Sequence, residues 1–185
     1  MSIVGVPRRY WKKKISHFAR KRWVNQVPAA SGSCGSGGRK RSIDLVFHKA
    51  DAAFVFYELK TTPKSGNVFD AAIELLSYGL LYVYSRTSTA AYKGRRLMKA
   101  SEAHLRVLGT ADYYSQQTVD TGLLKKLQDA ISNSLNDLAS THLPGCKLDF
   151  GFDIFPDEFK WFVKDQEDRS KILNALGGIH PLISY

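Results

Sequence analysis

The sequence predicts a domain of the α/β or α+β class, a mixed sheet covered by helices, and three observations carry that expectation. Two β-rich runs follow one another closely, Ser42 to Lys49 and Ala53 to Thr61. A long, mostly apolar segment from Asn67 to Arg86 and an amphipathic one from Thr121 to Ser140 read as helices. Strand-like runs stand between and after those helices, so strands and helices interleave as a layered domain requires. The 185 residues suffice for one sizeable core, and the expectation is a single domain over 1–185.

Taken in order, Tyr10 to Gln26 places Trp11, Ile15, Phe18, Arg22 and Trp23 at near-helical spacing among basic residues, which predicts a basic amphipathic helix. Val27 to Gly38, VPAASGSCGSGG, reads as a Pro-, Ser- and Gly-rich loop, so residues 1–41 form a basic arm leading into the core. The two β-rich runs, joined by small and polar residues around Ala50 and Asp51, predict a hairpin that Pro63 to Gly66 ends. Asn67 is the expected N-cap of the following helix, with Asp70 three residues on, where a carboxylate can reach back. Thr87 to Lys99 reads as a polar connection or short helix, and His104 to Gly109 as a third strand. In Thr121 to Ser140 the positions Leu124, Leu127, Ile131, Leu135 and Leu138 recur every three or four residues. Leu148, Phe150, Phe152 and Ile154 alternate with Asp149, Gly151 and Asp153, which predicts a strand with one wet face. Another strand is expected around Phe159 to Val163, then a short helix from Asp168 to Leu176.

The charge is unevenly placed. All of the formal net charge of +10 comes from the first 41 residues, which hold eleven basic residues and no acidic one. Such an asymmetry suits an arm that binds a polyanion. Arg39, Lys40 and Arg41 lead directly into the strand bearing Asp44, and Lys12, Lys13, Lys14, Arg20, Lys21 and Arg22 lie on the expected helix, so these nine are the expected nucleic-acid contacts. No run of eighteen apolar residues and no secretory leader pattern occurs, so a cytoplasmic protein without a membrane partner is expected. Cys34 and Cys146 read as free thiols, because His142 with Cys146 lacks the further ligands a zinc site needs. No GxxxxGK[ST] motif is present, so an energy-driven step would have to come from another chain.

The run Ala52 to Tyr57 is apolar, yet it ends in Glu58-Leu59-Lys60. Side chains alternate across a strand, so Glu58 and Lys60 share one face. If the two runs pair as a hairpin, Asp44 lies beside Glu58. Two carboxylates and an ammonium then converge at the end of an apolar strand, an arrangement that is costly unless the charges compensate each other or bind an ion. Paired carboxylates with a backbone carbonyl and waters suit Mg²⁺, which activates water and neutralises charge on a phosphodiester. A neighbouring lysine can hold the attacking water or stabilise the added negative charge.

Asp44 followed by Glu58-Leu59-Lys60 resembles the signature of the PD-(D/E)xK nucleases, the restriction-endonuclease-like superfamily. Glu74-Leu75-Leu76-Ser77-Tyr78 stands where RecB-like members carry Gln-x-x-x-Tyr, one helical turn apart on one face. The resemblance runs over Arg41 to Arg86 and implies a restriction-endonuclease-like α/β fold, with a mixed central sheet of four to five strands flanked by helices. It further implies Mg²⁺-dependent DNA hydrolysis, with Mn²⁺ able to substitute. Asp44 and Glu58 would be metal ligands, the Leu59 carbonyl a further one, and Lys60 the catalytic lysine, with Glu74 and Tyr78 in support. A homodimer and a partner protein supplying specificity are further implications. The chain departs from the pattern in having no acidic residue before Asp44, Ile43 in place of Pro, and Glu74 in place of Gln. Some RecB-like members use a histidine in the helix before the first strand, and His17 on the expected basic helix is the one candidate for it. The missing upstream acid gives a second expectation, a nuclease-like module that binds nucleic acid or assembles without cutting; an RNA-directed enzyme of the same fold is a third.

Overall fold

The structure, a computed structural model, describes residues 22–28, 42–88, 96–117, 120–160 and 169–183. It is an α/β arrangement: one mixed six-stranded sheet in the order β1 (Trp23–Pro28), β2 (Ser42–Ala50), β3 (Ala53–Lys60), β4 (Glu102–Gly109), β5 (Lys147–Ile154), β6 (His180–Pro181). The first three strands are an antiparallel meander, β4 and β5 run parallel to β3, and β6 pairs antiparallel with β5. Parallel neighbours need long crossovers, and two helices supply them: α1 (Val68–Ser88) between β3 and β4, α3 (Thr121–His142) between β4 and β5. Successive right-handed crossovers in one direction put both helices on the same face. There Ala72, Leu75 and Tyr78 of α1 and Leu124, Ile131 and Leu135 of α3 pack with Phe56, Leu105, Phe150 and Phe152. Ala175 of α4 (Arg169–Gly177) and Phe155 cover Leu45, Val55, Tyr57 and Leu108 on the opposite face.

Local chemistry accounts for the joints. Ala52, in the turn between β2 and β3, takes φ +62°, and its carbonyl accepts from the backbone amides of Ser101 and Glu102, which docks the hairpin to the start of β4. Asn67 caps α1 as expected, its Oδ1 accepting from Asp70 N–H at 2.8 Å. Asp70 reaches back to the Asn67 side-chain amide (2.7 Å), and Gln117 Oε1 accepts the Val68 amide. The free edge of β5 is paired by side chains of α3: Ser132 Oγ both donates to Phe150 O and accepts from Phe150 N–H, while Gln128 Oε1 faces Phe152 N–H. Among the described residues α1 is the one helix long and apolar enough to cross a membrane, and half of that stretch is buried inside the fold. Burial on the sheet accounts for Ala72, Leu75, Tyr78 and Tyr82, while Ile73, Leu80 and Tyr84 are exposed.

Four expectations are corrected. The helix predicted over Tyr10 to Gln26 gives way from Trp23 on to strand β1, because period-two packing wins over helical spacing there: Trp23 stacks on Phe47 (4.4 Å) and on Tyr57 (5.8 Å) across the sheet. Val27 and Pro28, read as loop, complete that strand, and proline is tolerated because β1 is an edge. The predicted wet face of β5 is largely covered: Asp153 is buried, and Asp149 pairs with Arg106 (2.5 Å) and His104 (2.7 Å) of β4. Phe159 is in a turn, its N–H donating to Pro156 O, so no strand begins there, and Trp161 to Val163 lie outside the described residues. The sheet therefore gains β1 and β6 beyond the four to five strands expected. Tyr10 to Lys21, the loop from Ala29 to Gly38 with Cys34, and residues 89–95 of the predicted connection also lie outside the described residues.

Gly109 gives one test of this packing. A Cβ there would come within 2.5 Å of Tyr114 Cε2 and 2.8 Å of Tyr113 Cδ1, both on α2 (Ala111–Ser115), so neither ring can stay in place. Gly109→Ala is expected to lower stability by about 1–3 kcal/mol, the usual cost of overpacking, measurable by urea denaturation. An unchanged midpoint would contradict this placement of the two tyrosines.

Candidate active site

The register of β2 and β3 builds the site. Val46 faces Phe56 and Leu45 faces Tyr57, so one step further Asp44 comes level with Glu58 on the face covered by α1. The backbone pairing ends at Leu45 and Tyr57. Beyond it the amide of Leu59 donates to Asp44 Oδ2 at 3.0 Å, a side-chain carboxylate taking the place of a ladder carbonyl. A strand residue directs its N–H and C=O to the same side, so the Leu59 carbonyl also points toward the β2 side, where Asp44 lies.

Glu58 and Lys60 follow on the same face and are 3% and 6% exposed. Lys60 Nζ donates to Glu58 Oε1 at 2.9 Å and stands 3.9 Å from Glu74 Oε2. Glu74 belongs to α1 and is held one turn on by Tyr78, whose hydroxyl donates to Glu74 Oε1 at 2.9 Å. The six residues singled out at this end of β3, Asp44, Glu58, Leu59, Lys60, Glu74 and Tyr78, are thus brought together. His17 and the basic residues Lys12, Lys13, Lys14, Arg20, Lys21, Arg39, Lys40 and Arg41 lie outside the described residues. Arg22 is exposed immediately before β1.

The electrostatics follow from crowding. Burial raises the Asp44 carboxyl above its ordinary range, against the Leu59 amide and the Lys60 charge, which lower it. Burial and then the charge of Asp44 push Glu58 up to about 8, with Lys60 only partly compensating. Tyr78 is driven up by burial and by the Glu58 and Glu74 carboxylates. Among the described residues, three carboxylates share one ammonium here, which is why their charges raise one another. A buried carboxylate, a half-buried one and a carbonyl are hard oxygen donors that fit Mg²⁺, an ion that keeps several waters, and they lack the nitrogen and sulfur ligands of a zinc centre. Among the described residues no group of three or more His, Cys, Asp and Glu side chains is placed to hold a metal ion.

Two groups of residues escaped the sequence reading. The first is α2, whose N-cap Thr110 accepts from Tyr113 N–H at 3.1 Å and whose backbone amide bonds to Lys60 O. The pattern Thr110-Ala-Asp-Tyr113 after a strand is the signal that could have found it. The second is a polar layer on the opposite face of β4 and β5. His104 Nδ1 donates to Asp149, Arg106 pairs with Asp149 and stands 3.7 Å from Asp153, and Glu102 stands 3.4 Å from His104. Burial raises Asp149, but the bond from His104 and the Arg106 charge outweigh it and hold the carboxyl low. Burial pushes Asp153 to about 6 although Arg106 opposes it. The period-two spacing of Glu102, His104 and Arg106 carried that signal.

Comparison of the chain with protein-family models, with curated proteins and with solved structures gives no match.

Proposed function

We propose that the chain is a Mg²⁺-dependent nuclease of the PD-(D/E)xK type that hydrolyses DNA phosphodiester bonds. The observation that carries this reading is the convergence of Asp44, Glu58 and Lys60 on one face at the carboxyl end of β3, with Glu58 and Lys60 buried and Asp44 partly buried beside them. The carboxyl ends of parallel strands are where open α/β sheets take their ligands. The mixed sheet flanked by helices is compatible with the restriction-endonuclease-like fold that goes with that site.

Asp44, Glu58 and the Leu59 carbonyl would hold the ion. When bound, Mg²⁺ supplies an acidified water and neutralises charge on the phosphate. Lys60, fixed against Glu58, places a cationic donor beside the carboxylates, where it can hold the attacking water or the added negative charge. Glu74 lies on the other side of that ammonium and is itself held by Tyr78, so the pair on α1 limits where Nζ can go. The cation-rich first 41 residues suit a polyanionic substrate and are assigned to the phosphate backbone.

One observation favours a second reading, a module on the same fold that binds nucleic acid without cutting: no third metal-ligating side chain joins Asp44 and Glu58 among the described residues. Assays of the full chain with Mg²⁺ or Mn²⁺ on single- and double-stranded DNA, and on RNA in parallel, separate the readings. Cleavage of DNA that Asp44→Ala and Lys60→Met remove supports the nuclease. Salt-sensitive binding without cleavage of any substrate supports the module, and preferential cutting of RNA reassigns the substrate.

A further inference from the structure

Tyr113 is fully buried, and its hydroxyl has no hydrogen-bond partner among the described residues. Buried hydroxyls almost always have a partner, so this one calls for a reason. The neighbouring Tyr114 shows the ordinary solution, donating to the carbonyls of Val107 (2.8 Å) and Asp153 (3.1 Å). A phenylalanine would fill the same space as Tyr113 and leave nothing unsatisfied.

The position of the ring points to the candidate active site. Gly109 is the register partner of Lys60 across the parallel pair β3 and β4, so a side chain at Gly109 would point to the same face as Lys60. That space is taken by the Tyr113 ring, whose Cδ1 would lie 2.8 Å from a Cβ at Gly109. Tyr113 therefore stands beside Lys60 on the face that carries Glu58. The Tyr113 amide donates to Thr110 Oγ1 at the start of α2, and the Thr110 amide donates to Lys60 O, which ties α2 to the end of β3. In keeping with this placement, burial and then the charges of Asp70 and Glu58 raise the phenol.

We propose that Tyr113 is a positioning residue of the Asp44–Glu58 site, its hydroxyl donating to the Glu58 carboxylate when a divalent cation engages that group. The inference rests on the metal-site reading above. Glu58 is held by Lys60 at 2.9 Å, and the phenol has no partner among the described residues. With an ion present the carboxylate is shared between Lys60 and the metal, and a second hydrogen bond from Tyr113 fixes its orientation. Outer-shell donors of this sort tune the affinity of metal-binding carboxylates.

The experiment uses the full chain, wild type and Tyr113→Phe, in two measurements: thermal melting without divalent ions and titration with Mn²⁺ by calorimetry, with Asp44→Ala locating the ion. The metal-free Tyr113→Phe protein is expected to melt at the same or a higher temperature, because the orphan hydroxyl is gone. Its Mn²⁺ affinity is expected to fall by about tenfold or more. Equal Mn²⁺ affinity of variant and wild type would overturn the inference alone. A lower metal-free melting temperature would also overturn it, since the hydroxyl would then have a partner in the fold. Wild-type protein that binds no Mn²⁺, or binds it undiminished in Asp44→Ala, would remove the metal-site reading and this inference with it.

Discussion

Asp44→Ala and Lys60→Met are each expected to reduce Mg²⁺-dependent DNA cleavage by at least about 10²–10³-fold, the loss seen when one preorganised group that stabilises developing charge is removed. The two variants fail for different reasons. Asp44→Ala takes away one of the two carboxylates proposed to hold the ion and releases the Leu59 amide from its acceptor, so it is expected to weaken metal binding and loosen the strand end together. Lys60→Met keeps most of the buried stem and deletes the cation next to Glu58. Removing one member of a buried ion pair costs about 3–5 kcal/mol when the other must remain charged. Glu58 is already pushed up to about 8, so at neutral pH it can take a proton, and the stability cost of Lys60→Met is expected to fall below that range. DNA affinity is expected to survive in both variants, because eleven cations lie before Asp44. Cleavage that persists undiminished in both, measured on supercoiled and linear DNA, would refute the assignment.

The metal-free protein is expected to lose stability as pH rises from about 5 to 8. Glu58 has a folded-state value of about 8 against an ordinary 4.5, so over that interval the folded state binds the proton and the unfolded state does not. The contribution is complete below about 4.5 and is lost as pH passes through about 8. A tenfold difference in proton affinity is about 1.4 kcal/mol, and 1 kcal/mol moves the melting temperature of a domain of this size by about 2–4 °C. A fall of at least about 3–5 °C is therefore expected. Asp153, raised to about 6 by burial, contributes in the same sense at lower pH, so the assignment to Glu58 needs Glu58→Gln, which should flatten the upper part of the profile. Mg²⁺ or Mn²⁺ should reverse the wild-type loss, because the ion binds the ionised carboxylate and its affinity rises with pH. A wild-type profile that is flat between pH 6 and 8 and indifferent to Glu58→Gln would contradict the buried pocket.

The grouping of these residues was legible because Asp44, Glu58 and Lys60 sit on two short strands joined by a tight turn. Asp44 and Glu58 are far enough apart to look unrelated, but hairpin pairing and strand alternation were enough to place them together. The helix with Glu74 and Tyr78 follows directly and carries its own one-turn spacing. What the sequence could not supply was the bond between Asp44 and Leu59, which depends on where the backbone ladder stops. Trp23 was misread because a residue flanked by basic side chains fits both periods, and only Phe47 and Tyr57 across the sheet decide between them. The wet face of β5 failed for a similar reason: Asp149 and Asp153 look like solvent residues until His104 and Arg106 of β4 are set beside them. Tyr113 lies on a five-residue helix, too short for periodicity to reveal.

The most direct measurement of the central claim is a crystal of the full chain soaked in Mn²⁺, with anomalous density recorded at the end of β3. The proposed site predicts one ion bound by Asp44, Glu58 and the Leu59 carbonyl, its remaining positions filled by water, and no ion at that place in Asp44→Ala. Saturating Mn²⁺ with no density between Asp44 and Glu58, while Lys60 keeps its bond to Glu58, would contradict it.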